Sequence, residues 1–253
     1  MLKVLFSRFK QGYRTNKFPN EIPALPDRLR GLPRVDSSLC PPGCRECADQ
    51  CPTDAIHFHN EKVNIDLGRC LFCPECMQAC PQTAICFTQD YRLAVRKRDD
   101  LVVDDQAFKL AKRLEKESQR IFGRSLKLRQ VSAGGCNGCE VDVNVLNTLV
   151  WDLGRFGIQF VASPRHADGI LITGPVTQNM ELALIKTYEA VPSPKIVIAV
   201  GACAISGGPY IDLPDVCNGA ASTVPVDLFI PGCPPHPLTI LDGLLRFIGR
   251  IKE

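Results

Sequence analysis

The second half of the chain shows short apolar runs that alternate with amphipathic segments. Runs rich in Val, Ile and Leu occupy residues 126–133, 158–162, 169–174, 195–201 and 226–232. Helix-like spacing occurs at residues 139–153, 177–190 and 236–250. Apolar strands that alternate with helices are typical of a parallel sheet covered on both faces. The pattern therefore predicts an α/β flavodoxin-like domain with a parallel sheet of four or five strands.

The first half instead contains an internal duplication. The run CPPGCRECADQCP at residues 40–52 is followed by TDAIHF, and the run CLFCPECMQACP at residues 70–81 is followed by QTAICF. A duplicated unit of this length predicts an α+β ferredoxin domain with βαββαβ order and pseudo-twofold symmetry. Between the two halves, Phe108, Ala111, Leu114 and Ile121 have helical spacing, and Gly123 suits a helix end, which predicts a linker helix over residues 105–122.

The amino-acid composition argues against some classes of function and favours metal binding. The chain has 253 residues, 14 cysteines and a formal net charge of +3, which argues against a protein that coats nucleic acid. Cysteines grouped in short-spaced runs indicate metal ligation in a reducing compartment. No run approaches the ~18–20 apolar residues that span a bilayer, and residues 1–14 lack the apolar core of a signal peptide. We expect a cytoplasmic protein, peripheral on the cytoplasmic face of the inner membrane through partner subunits.

The duplicated runs predict two [4Fe–4S] clusters. Residues 70–81 follow the bacterial ferredoxin spacing, in which the fourth cysteine of each run ligates the other cluster. The first predicted ligand group, set 1, is Cys40, Cys44, Cys47 and Cys80. The second, set 2, is Cys51, Cys70, Cys73 and Cys76. The first run has one extra residue, which also matches the radical-SAM spacing, but the chain has no room for the barrel which that chemistry needs.

Four further cysteines follow predicted strands of the second half. They lie in AGGCNGC, GACAISGG and PGCPP, and the carboxyl ends of neighbouring parallel strands meet at one edge of a sheet. This third predicted ligand group, set 3, is Cys136, Cys139, Cys203 and Cys233. Its count matches a third [4Fe–4S] cluster. We interpret the remaining Cys86 as a core thiol and Cys217 as a buried thiol.

Charged residues near set 3 are candidates for tuning its cluster. Arg165 could raise the cluster potential, and His166 could couple proton transfer to electron transfer. Glu140 begins a predicted helix, where it either favours the helix dipole or relays protons. The alternative for Arg165 and His166 is a solvated turn. His57 and His59 alternate along a predicted strand and are interpreted as surface or partner-contact residues.

The first turns of the chain are amphipathic. Leu2, Leu5, Phe6 and Phe9 share one helical face, and basic residues lie elsewhere. Such a helix fits either a membrane surface or a partner subunit, and we expect a partner. The expected domains are an N-terminal docking segment at 1–35, a two-[4Fe–4S] ferredoxin domain at 36–98, a linker helix at 99–124 and the α/β domain at 125–253.

Several long motifs resemble known subunits. Residues 1–98, with RGLP, LGRCLFCPEC and YRLAVRKRDDL, resemble the two-cluster ferredoxin subunit of formate hydrogenlyase and related complex I-like enzymes. Residues 125–250, with GGCNGCE, SPRHADGILITGPVT, GACAISGG and VPVDLFIPGCPP, resemble the small cluster-bearing subunit of the same group 4 [NiFe]-hydrogenases and of respiratory complex I. The chain looks like a fusion of two neighbouring subunits.

The resemblance implies an electron-transfer subunit with three [4Fe–4S] clusters and no complete active site of its own. Set 3 would hold the cluster nearest the [NiFe] site of a hydrogenase-type large subunit, and the donor would be a formate or carbon monoxide dehydrogenase or a soluble ferredoxin. Complex I carries adjacent cysteines where this chain has Cys136-x2-Cys139. This difference favours a subunit of a group 4 [NiFe]-hydrogenase over one of a quinone-reducing complex I. The alternatives are the equivalent subunit of a complex I-like quinone oxidoreductase, a free-standing ferredoxin-type carrier, and a zinc-stabilised interaction module.

Overall fold

The computed structural model describes residues 2–104 and 108–251. Its helices are α1 (Leu2–Gln11), α2 (Glu46–Asp49), α3 (Glu75–Ala79), α4 (Lys116–Phe122), α5 (Gly138–Val145), α6 (Gln178–Ala190), α7 (Ala202–Ser206) and α8 (Pro237–Phe247). Its strands are β1 (Pro33–Val35), β2 (Ile56–His59), β3 (Lys62–Asp66), β4 (Ile85–Phe87), β5 (Val102–Val103), β6 (Leu126–Ser132), β7 (Ile158–Phe160), β8 (Gly169–Thr173), β9 (Ile196–Val200) and β10 (Leu228–Ile230). None of these helices is long and apolar enough to cross a membrane.

The first half has the duplicated ferredoxin architecture. Its elements follow the order β1-α2-β2-β3-α3-β4, with β1 antiparallel to β4 and β2 antiparallel to β3. Strand β5 extends the second sheet beside β3. Each half-unit is one strand, one short helix and one strand, as the repeat predicts. The two helices are four and five residues long, and each carries one cysteine of its run, Cys47 in α2 and Cys76 in α3.

The second half contains a five-stranded parallel sheet. The strand order is β10-β9-β8-β6-β7, and every pairing between neighbours is parallel. Numbered from β6, this is the order 2-1-3-4-5 of flavodoxin-like folds. Strands β8, β9 and β10 are buried along their whole length, which explains their continuous apolar sequences. The predicted fold class of both halves is confirmed.

The two halves share an interface built on backbone hydrogen bonds. Val95, which follows the ferredoxin unit, exchanges two hydrogen bonds with Phe229 of β10, at 3.0 and 2.9 Å. The edge of the parallel sheet is therefore covered by this chain. Ala94 lies against Gly243 of α8, where a Cβ would come within 2.8 Å of the alanine methyl. This close approach packs the connecting segment onto the second half.

The predicted linker helix is shorter than expected. Residues 105–107 lie outside the described residues, and the helix begins only at Lys116. The backbone N–H groups of Ala111 and Leu114 donate to Ala94 and Phe247 instead of to a preceding turn. Both side chains are buried. Tertiary partners thus replace the helical hydrogen bonds that the spacing predicted.

The helix predicted over residues 139–153 also ends early, at Val145. The Thr148 hydroxyl donates to the carbonyl of Val145 at 2.8 Å, and the backbone then turns until Leu153 donates to Leu146 at 2.9 Å. A hydroxyl that takes a helix carbonyl competes with continuation of the helix. Beyond the helix end, Leu146 and Leu153 are still fully buried, whereas Leu149 and Val150 are exposed.

Candidate metal centres

The four cysteines of set 1 line one small cavity of the ferredoxin half, together with Phe58 and Val63. Cys47 is buried, and the other three are partly exposed. Burial raises the pKa of the Cys47 thiol to about 11, and repulsion from the negative charges of Cys80, Cys40 and Cys44 adds to the rise. The structure therefore brings together the four residues that the pattern grouped, including Cys80 from the second run.

Set 2 shows the reciprocal exchange between the runs. Burial raises the pKa of the Cys70 thiol to about 12, with further increases from Cys76, Cys51 and Cys73. Burial raises the pKa of Cys76 to about 11, again with contributions from Cys73 and Cys51. Cys51 belongs to the first run, but its charge raises the pKa of Cys70 and Cys76 in the second run. The fold thus pairs three cysteines of each run with the fourth of the other.

Backbone N–H groups point at the sulfurs in a pattern that repeats with the duplication. Ala55 donates to Cys51 Sγ at 3.2 Å, and Ala84 donates to Cys80 Sγ at 3.3 Å, each four residues after its cysteine. Phe72 donates to Cys70 Sγ at 3.3 Å. The corresponding residue two positions after Cys40 is Pro42, which has no N–H to donate. The two sites are therefore symmetric at their fourth ligands and different at their first.

Set 3 gathers at the carboxyl edge of the parallel sheet. Cys136 and Cys139 follow β6, Cys203 lies in α7 after β9, and Cys233 follows β10. Burial raises the pKa of Cys203 to about 12, with contributions from Cys233 and Cys136. Desolvation also raises the pKa of Cys139 strongly, followed by repulsion from Cys203. Cysteines that are up to 97 positions apart in the chain therefore lie close enough for their charges to interact.

Two glycines with left-handed backbone keep space beside these sulfurs. Gly201 has a φ of 90°, and a Cβ there would overlap Cys139 Sγ. Gly208 has a φ of 56°, and a Cβ there would come within 2.9 Å of Cys203 Sγ. Glycine meets both demands, the positive φ and the close backbone approach to sulfur. The cradle around set 3 is therefore built by backbone as well as by cysteines.

The three sets form a row. Cys47 of set 1 raises the pKa of Cys76 of set 2, because the two thiols are neighbours. Cys73 of set 2 likewise raises the pKa of Cys233 of set 3. Sets 1 and 3 thus each have a neighbour in set 2. Cys136 and Cys233 are exposed, so set 3 reaches the surface of the second half.

The donor sets suit iron–sulfur clusters chemically. Each set contains four thiols and no other ligand type, which is the ligand count of a [4Fe–4S] cluster. Because burial and mutual repulsion disfavour four thiolates, the sets need added positive charge to hold the sulfurs ionised. Across the described residues, no group of three or more His, Cys, Asp or Glu side chains is arranged around a single metal ion.

Glu140 is a buried carboxylate beside set 3. Its Oε1 accepts hydrogen bonds from Ser132 Oγ at 2.6 Å and from Thr173 Oγ1 at 2.7 Å. Its charge raises the pKa of both Cys139 and Cys203. Glu140 is only 5% exposed, and its role beside set 3 stays a prediction. Its hydroxyl partners lie at the ends of β6 and β8.

The other predicted residues fall on the surface, with one exception. Arg165 and His166 lie exposed in a 3-10 turn at Pro164–His166, and their tuning roles stay predictions. His57 and His59 are exposed on β2, as expected for surface residues. Cys86 is exposed, so its interpretation as a core thiol was wrong. On β4 the preceding Ile85 faces the core, and strand alternation turns Cys86 outward.

Cys217, which was interpreted as a buried thiol, is the exception: it is partly buried and packs against buried apolar residues. Desolvation raises the pKa of its thiol, and the nearby Glu181 raises it further. Its backbone N–H donates to Val176 at 2.8 Å. Cys217 therefore belongs to the packing around α6 rather than to any of the three sets.

Sequence reasoning missed a polar bridge between sets 2 and 3. Arg98 donates two hydrogen bonds to Asp66, at 2.7 and 2.6 Å, and Gly68 donates to the same carboxylate at 2.8 Å. The Gly68 carbonyl in turn accepts from Ser206 Oγ of α7 at 2.8 Å. The bridge runs from the loop before Cys70 to the helix of Cys203. Its members are separated by up to about 140 residues, so no local pattern could have revealed it.

Paired ferredoxin-type cysteine runs and a third cysteine set on a flavodoxin-like sheet define an iron–sulfur protein of the electron-transfer class. Residues 136–247 match the family described as NADH ubiquinone oxidoreductase, 20 Kd subunit. Residues 32–118 match the 4Fe-4S dicluster domain family. The chain belongs to the 20 Kd subunit family and carries a dicluster domain in the same polypeptide. It is thus a subunit type found in multi-subunit oxidoreductases, and the predicted fusion is confirmed.

Individual relatives include subunits of both enzyme groups that the motifs resemble, the hydrogenases and the complex I-like NADH-quinone oxidoreductases. The probable membrane-bound hydrogenase subunit mbhJ of Pyrococcus furiosus is 45% identical over 146 residues, which are 56% of this chain and 87% of that protein. Formate hydrogenlyase subunit 7 of Escherichia coli is 44% identical over 51% of each chain, so this chain spans about half of that relative. An NADH-quinone oxidoreductase subunit of Carboxydothermus hydrogenoformans is 35% identical over 56% of this chain and 95% of its own length.

Proposed function

We propose that this chain is the electron-transfer subunit of a complex I-like group 4 [NiFe]-hydrogenase of the formate hydrogenlyase type. Sets 1, 2 and 3 would each hold one [4Fe–4S] cluster, and such clusters accept and release single electrons. The chain itself would position the three clusters and would supply no catalytic acid, base or nucleophile. The proposed domains keep the bounds expected from the sequence, 1–35, 36–98, 99–124 and 125–253.

The observation that carries the proposal is the row of twelve cysteines. Set 1 adjoins set 2 through Cys47 and Cys76, and set 2 adjoins set 3 through Cys73 and Cys233. A storage or structural metal site needs no such succession of neighbours. A row that ends at exposed cysteines suits conduction to a bound partner. The support from relatives is the similarity to the hydrogenase subunit mbhJ and to formate hydrogenlyase subunit 7.

The bridge of Arg98, Asp66 and Ser206 supports the same role from the protein side. It ties the loop before Cys70 to the helix that carries Cys203. Fixed spacing limits reorganisation when charge moves between neighbouring sites. The proposed partners are a hydrogenase-type large subunit at set 3 and, at the other end, a formate or carbon monoxide dehydrogenase or a soluble ferredoxin. The complex would lie on the cytoplasmic face of the inner membrane.

Metal analysis of single-cysteine variants tests the ligand sets. The chain purified without air should contain about twelve iron and twelve sulfide atoms, because it would hold three four-iron clusters. Cys47→Ser, Cys70→Ser and Cys203→Ser should each lower the iron content by about four atoms and remove one EPR signal of the reduced protein. The signal lost should differ among the three variants.

Two cysteines outside the sets provide matched controls. Cys86→Ser and Cys217→Ser remove a thiol of the same chemistry but should leave the iron content and all EPR signals unchanged. Loss of a cluster in either control would contradict the ligand sets. A preparation with stoichiometric zinc, no sulfide and no EPR signal on reduction would reject the electron-transfer function altogether.

A second candidate is the equivalent subunit of a complex I-like quinone oxidoreductase. It is favoured by the NADH-quinone oxidoreductase relative, of which this chain covers 95%. Against it stands the Cys136-x2-Cys139 spacing, since complex I carries adjacent cysteines at this place. The native complex decides between the two. Nickel in the co-purifying large subunit and hydrogen evolution support the hydrogenase function, whereas a nickel-free complex that reduces quinone supports the second candidate.

A further inference from the structure

A cavity of about 390 Å³ lies between the N-terminal segment and helix α8. Its lining comes from residues 18–25, from residues 89–92 after the ferredoxin repeats, and from α8 with Ile251. The apolar members are Phe18, Pro19, Ile22, Leu25 and Ile251. Small-molecule sites have volumes of about 300–1,000 Å³ and combine an apolar lining with a few polar groups. The cavity has the size of such a site, and its described lining includes none of the cysteines.

Helix α8 contributes a buried ion pair to this cavity. Arg246 Nε donates to Asp242 Oδ2 at 2.7 Å, one helical turn away. Arg246 is 8% exposed and Asp242 is 1% exposed. Within residues 2–104 and 108–251, no hydrogen bond reaches the two terminal nitrogens of Arg246 or Asp242 Oδ1. Because buried polar groups nearly always have partners, these nitrogens and this oxygen are available to a ligand.

Tyr91 adds a hydroxyl group to the same cavity. It is 8% exposed, and its ring packs edge-on against Phe18, with the ring centroids 6.1 Å apart. Its hydroxyl forms no hydrogen bond with any residue that the structure describes, although buried tyrosine hydroxyls usually have a partner. The neighbouring Arg92 and Asp90 instead satisfy each other through two hydrogen bonds, at 2.8 and 2.6 Å. The unused buried polar atoms of the cavity therefore belong to Arg246, Asp242 and Tyr91.

The segment that supplies most of the apolar lining is tied to both halves of the protein. Arg155 Nη2 donates to the Phe18 carbonyl at 3.0 Å, and Gln89 Nε2 donates to the Pro26 carbonyl at 3.2 Å. Leu25 packs against the same hydrophobic core as α8. These contacts fix the segment beside α8, so the cavity is formed before a ligand arrives. A preformed site loses less freedom on binding.

From this arrangement we infer that the cavity binds a zwitterionic α-amino acid with an apolar side chain. The planar fork of Arg246 fits the ligand carboxylate, and the Tyr91 hydroxyl donates to the same group. Asp242 Oδ1 accepts from the ligand ammonium group, and the apolar lining receives the ligand side chain. The two Asp–Arg pairs of the cavity cancel in charge, so a ligand without net charge leaves no charge unbalanced. The inference uses none of the cysteines and is independent of the proposed electron transfer.

Calorimetric titration of the full cluster-loaded chain with L-leucine and three analogues tests the inference. L-Leucine should bind with a dissociation constant below about 1 mM. The analogues are 4-methylpentanoate, which lacks the amino group, 3-methylbutylamine, which lacks the carboxylate, and glycine, which lacks the apolar side chain. Each should bind at least about tenfold more weakly, because one group of contacts is lost. Absence of leucine binding, or an analogue that binds as tightly as leucine, would overturn the inference.

Two variants with matched controls locate the binding. Tyr91→Phe keeps the ring, removes the hydroxyl and should weaken leucine binding about fivefold, whereas Tyr188→Phe makes the same change on α6, outside the cavity, and should leave binding unchanged. Ile22→Trp, at an exposed residue of the lining, fills the cavity and should weaken binding at least about tenfold. Its control, Leu182→Trp at an exposed residue of α6, should not. All four variants should keep the iron content of the parent chain, and equal losses in a variant and its control would contradict the inference.

Discussion

The ferredoxin half and the α/β half hold their cysteines in opposite ways. In the ferredoxin half, Cys47, Cys70 and Cys76 are themselves members of the hydrophobic core. In the α/β half the core is the aliphatic sheet with α8, which is buried along its whole length. Set 3 lies at the rim of that sheet, with two of its four cysteines exposed. Three cysteines of the first half belong to its hydrophobic core and none of its set members is exposed, whereas the second half buries Cys139 and Cys203 and exposes Cys136 and Cys233.

This difference matters because core residues and ligands respond differently to metal loss. Among the largest fully buried side chains of the described residues, only Ile65, Leu67 and Leu101 belong to the first half. Each fully buried aliphatic side chain contributes about 1.5–3 kcal/mol. The second half therefore has the larger aliphatic source of stability, whereas the interior of the first half includes three thiols that burial and mutual repulsion keep protonated without metal.

Removal of the metal should produce the largest contrast. Anaerobic chelation of iron should unfold the ferredoxin half, because its core ligands lose the groups that they enclose. The sheet of β6, β8 and β9 should remain folded. Hydrogen exchange read by mass spectrometry should show full exchange in residues 36–98 and retained protection in residues 126–132, 169–173 and 196–200. Retained protection in both halves, or its loss in both, would contradict the contrast.

A glycine substitution in each half should separate backbone strain from ligand crowding. Gly201→Ala combines a φ of 90° with overlap of the new Cβ and Cys139 Sγ, so it should destroy set 3 and release about four iron atoms. Gly43→Ala has a φ of 75° but nothing within 4 Å of the new Cβ. It should cost about 1 kcal/mol of stability and keep all three clusters.

Iron and sulfide analysis of the two glycine variants provides the measurement. If Gly43→Ala also loses a cluster, strain alone is sufficient and the crowding argument fails. If Gly201→Ala keeps about twelve iron atoms, the rim of the sheet is more adaptable than the rigid strands suggest.

The bridge between the halves should contribute a smaller effect. Arg98→Ala removes two hydrogen bonds to the partly buried Asp66, so we expect a loss of about 2 kcal/mol in the free energy of unfolding. Arg92→Ala removes a similar two-pronged pair with Asp90, but Arg92 is 47% exposed, and solvent screening should limit the loss to below about 1 kcal/mol. Chemical denaturation of both variants measures the difference, and equal losses would mean that burial of the bridge is unimportant.

The smallest expected effect concerns the hydroxyl that joins the halves. Ser206→Ala removes the hydrogen bond to the Gly68 carbonyl and should cost about 1 kcal/mol, because a buried carbonyl loses its donor. Thr187→Ala removes an exposed hydroxyl that donates to Ala183 on the same helix. That control should change the free energy of unfolding by less than about 0.5 kcal/mol. A neutral Ser206→Ala would show that the halves are held together by other contacts.

Much of the fold and of the candidate site could be predicted because both rest on local patterns. The continuous apolar runs identified all five parallel strands, and the duplicated cysteine-containing sequence identified the βαββαβ order. The linker helix failed because Ala111 and Leu114 follow helical spacing but bond to Ala94 and Phe247. Cys86 failed because the side of a three-residue strand depends on its register with β1, not on the residue type.

The sequence by itself determined the ligand types, their spacing and the strand-and-helix alternation, because each of these depends on neighbours within a few residues. Only the tertiary structure decided that the three cysteine sets form a row, that Ser206 reaches Gly68, and that Gly201 must leave room for Cys139. These relations join residues that lie far apart along the chain. Contacts at such separations depend on strand order and packing, which leave no periodic signal along the sequence.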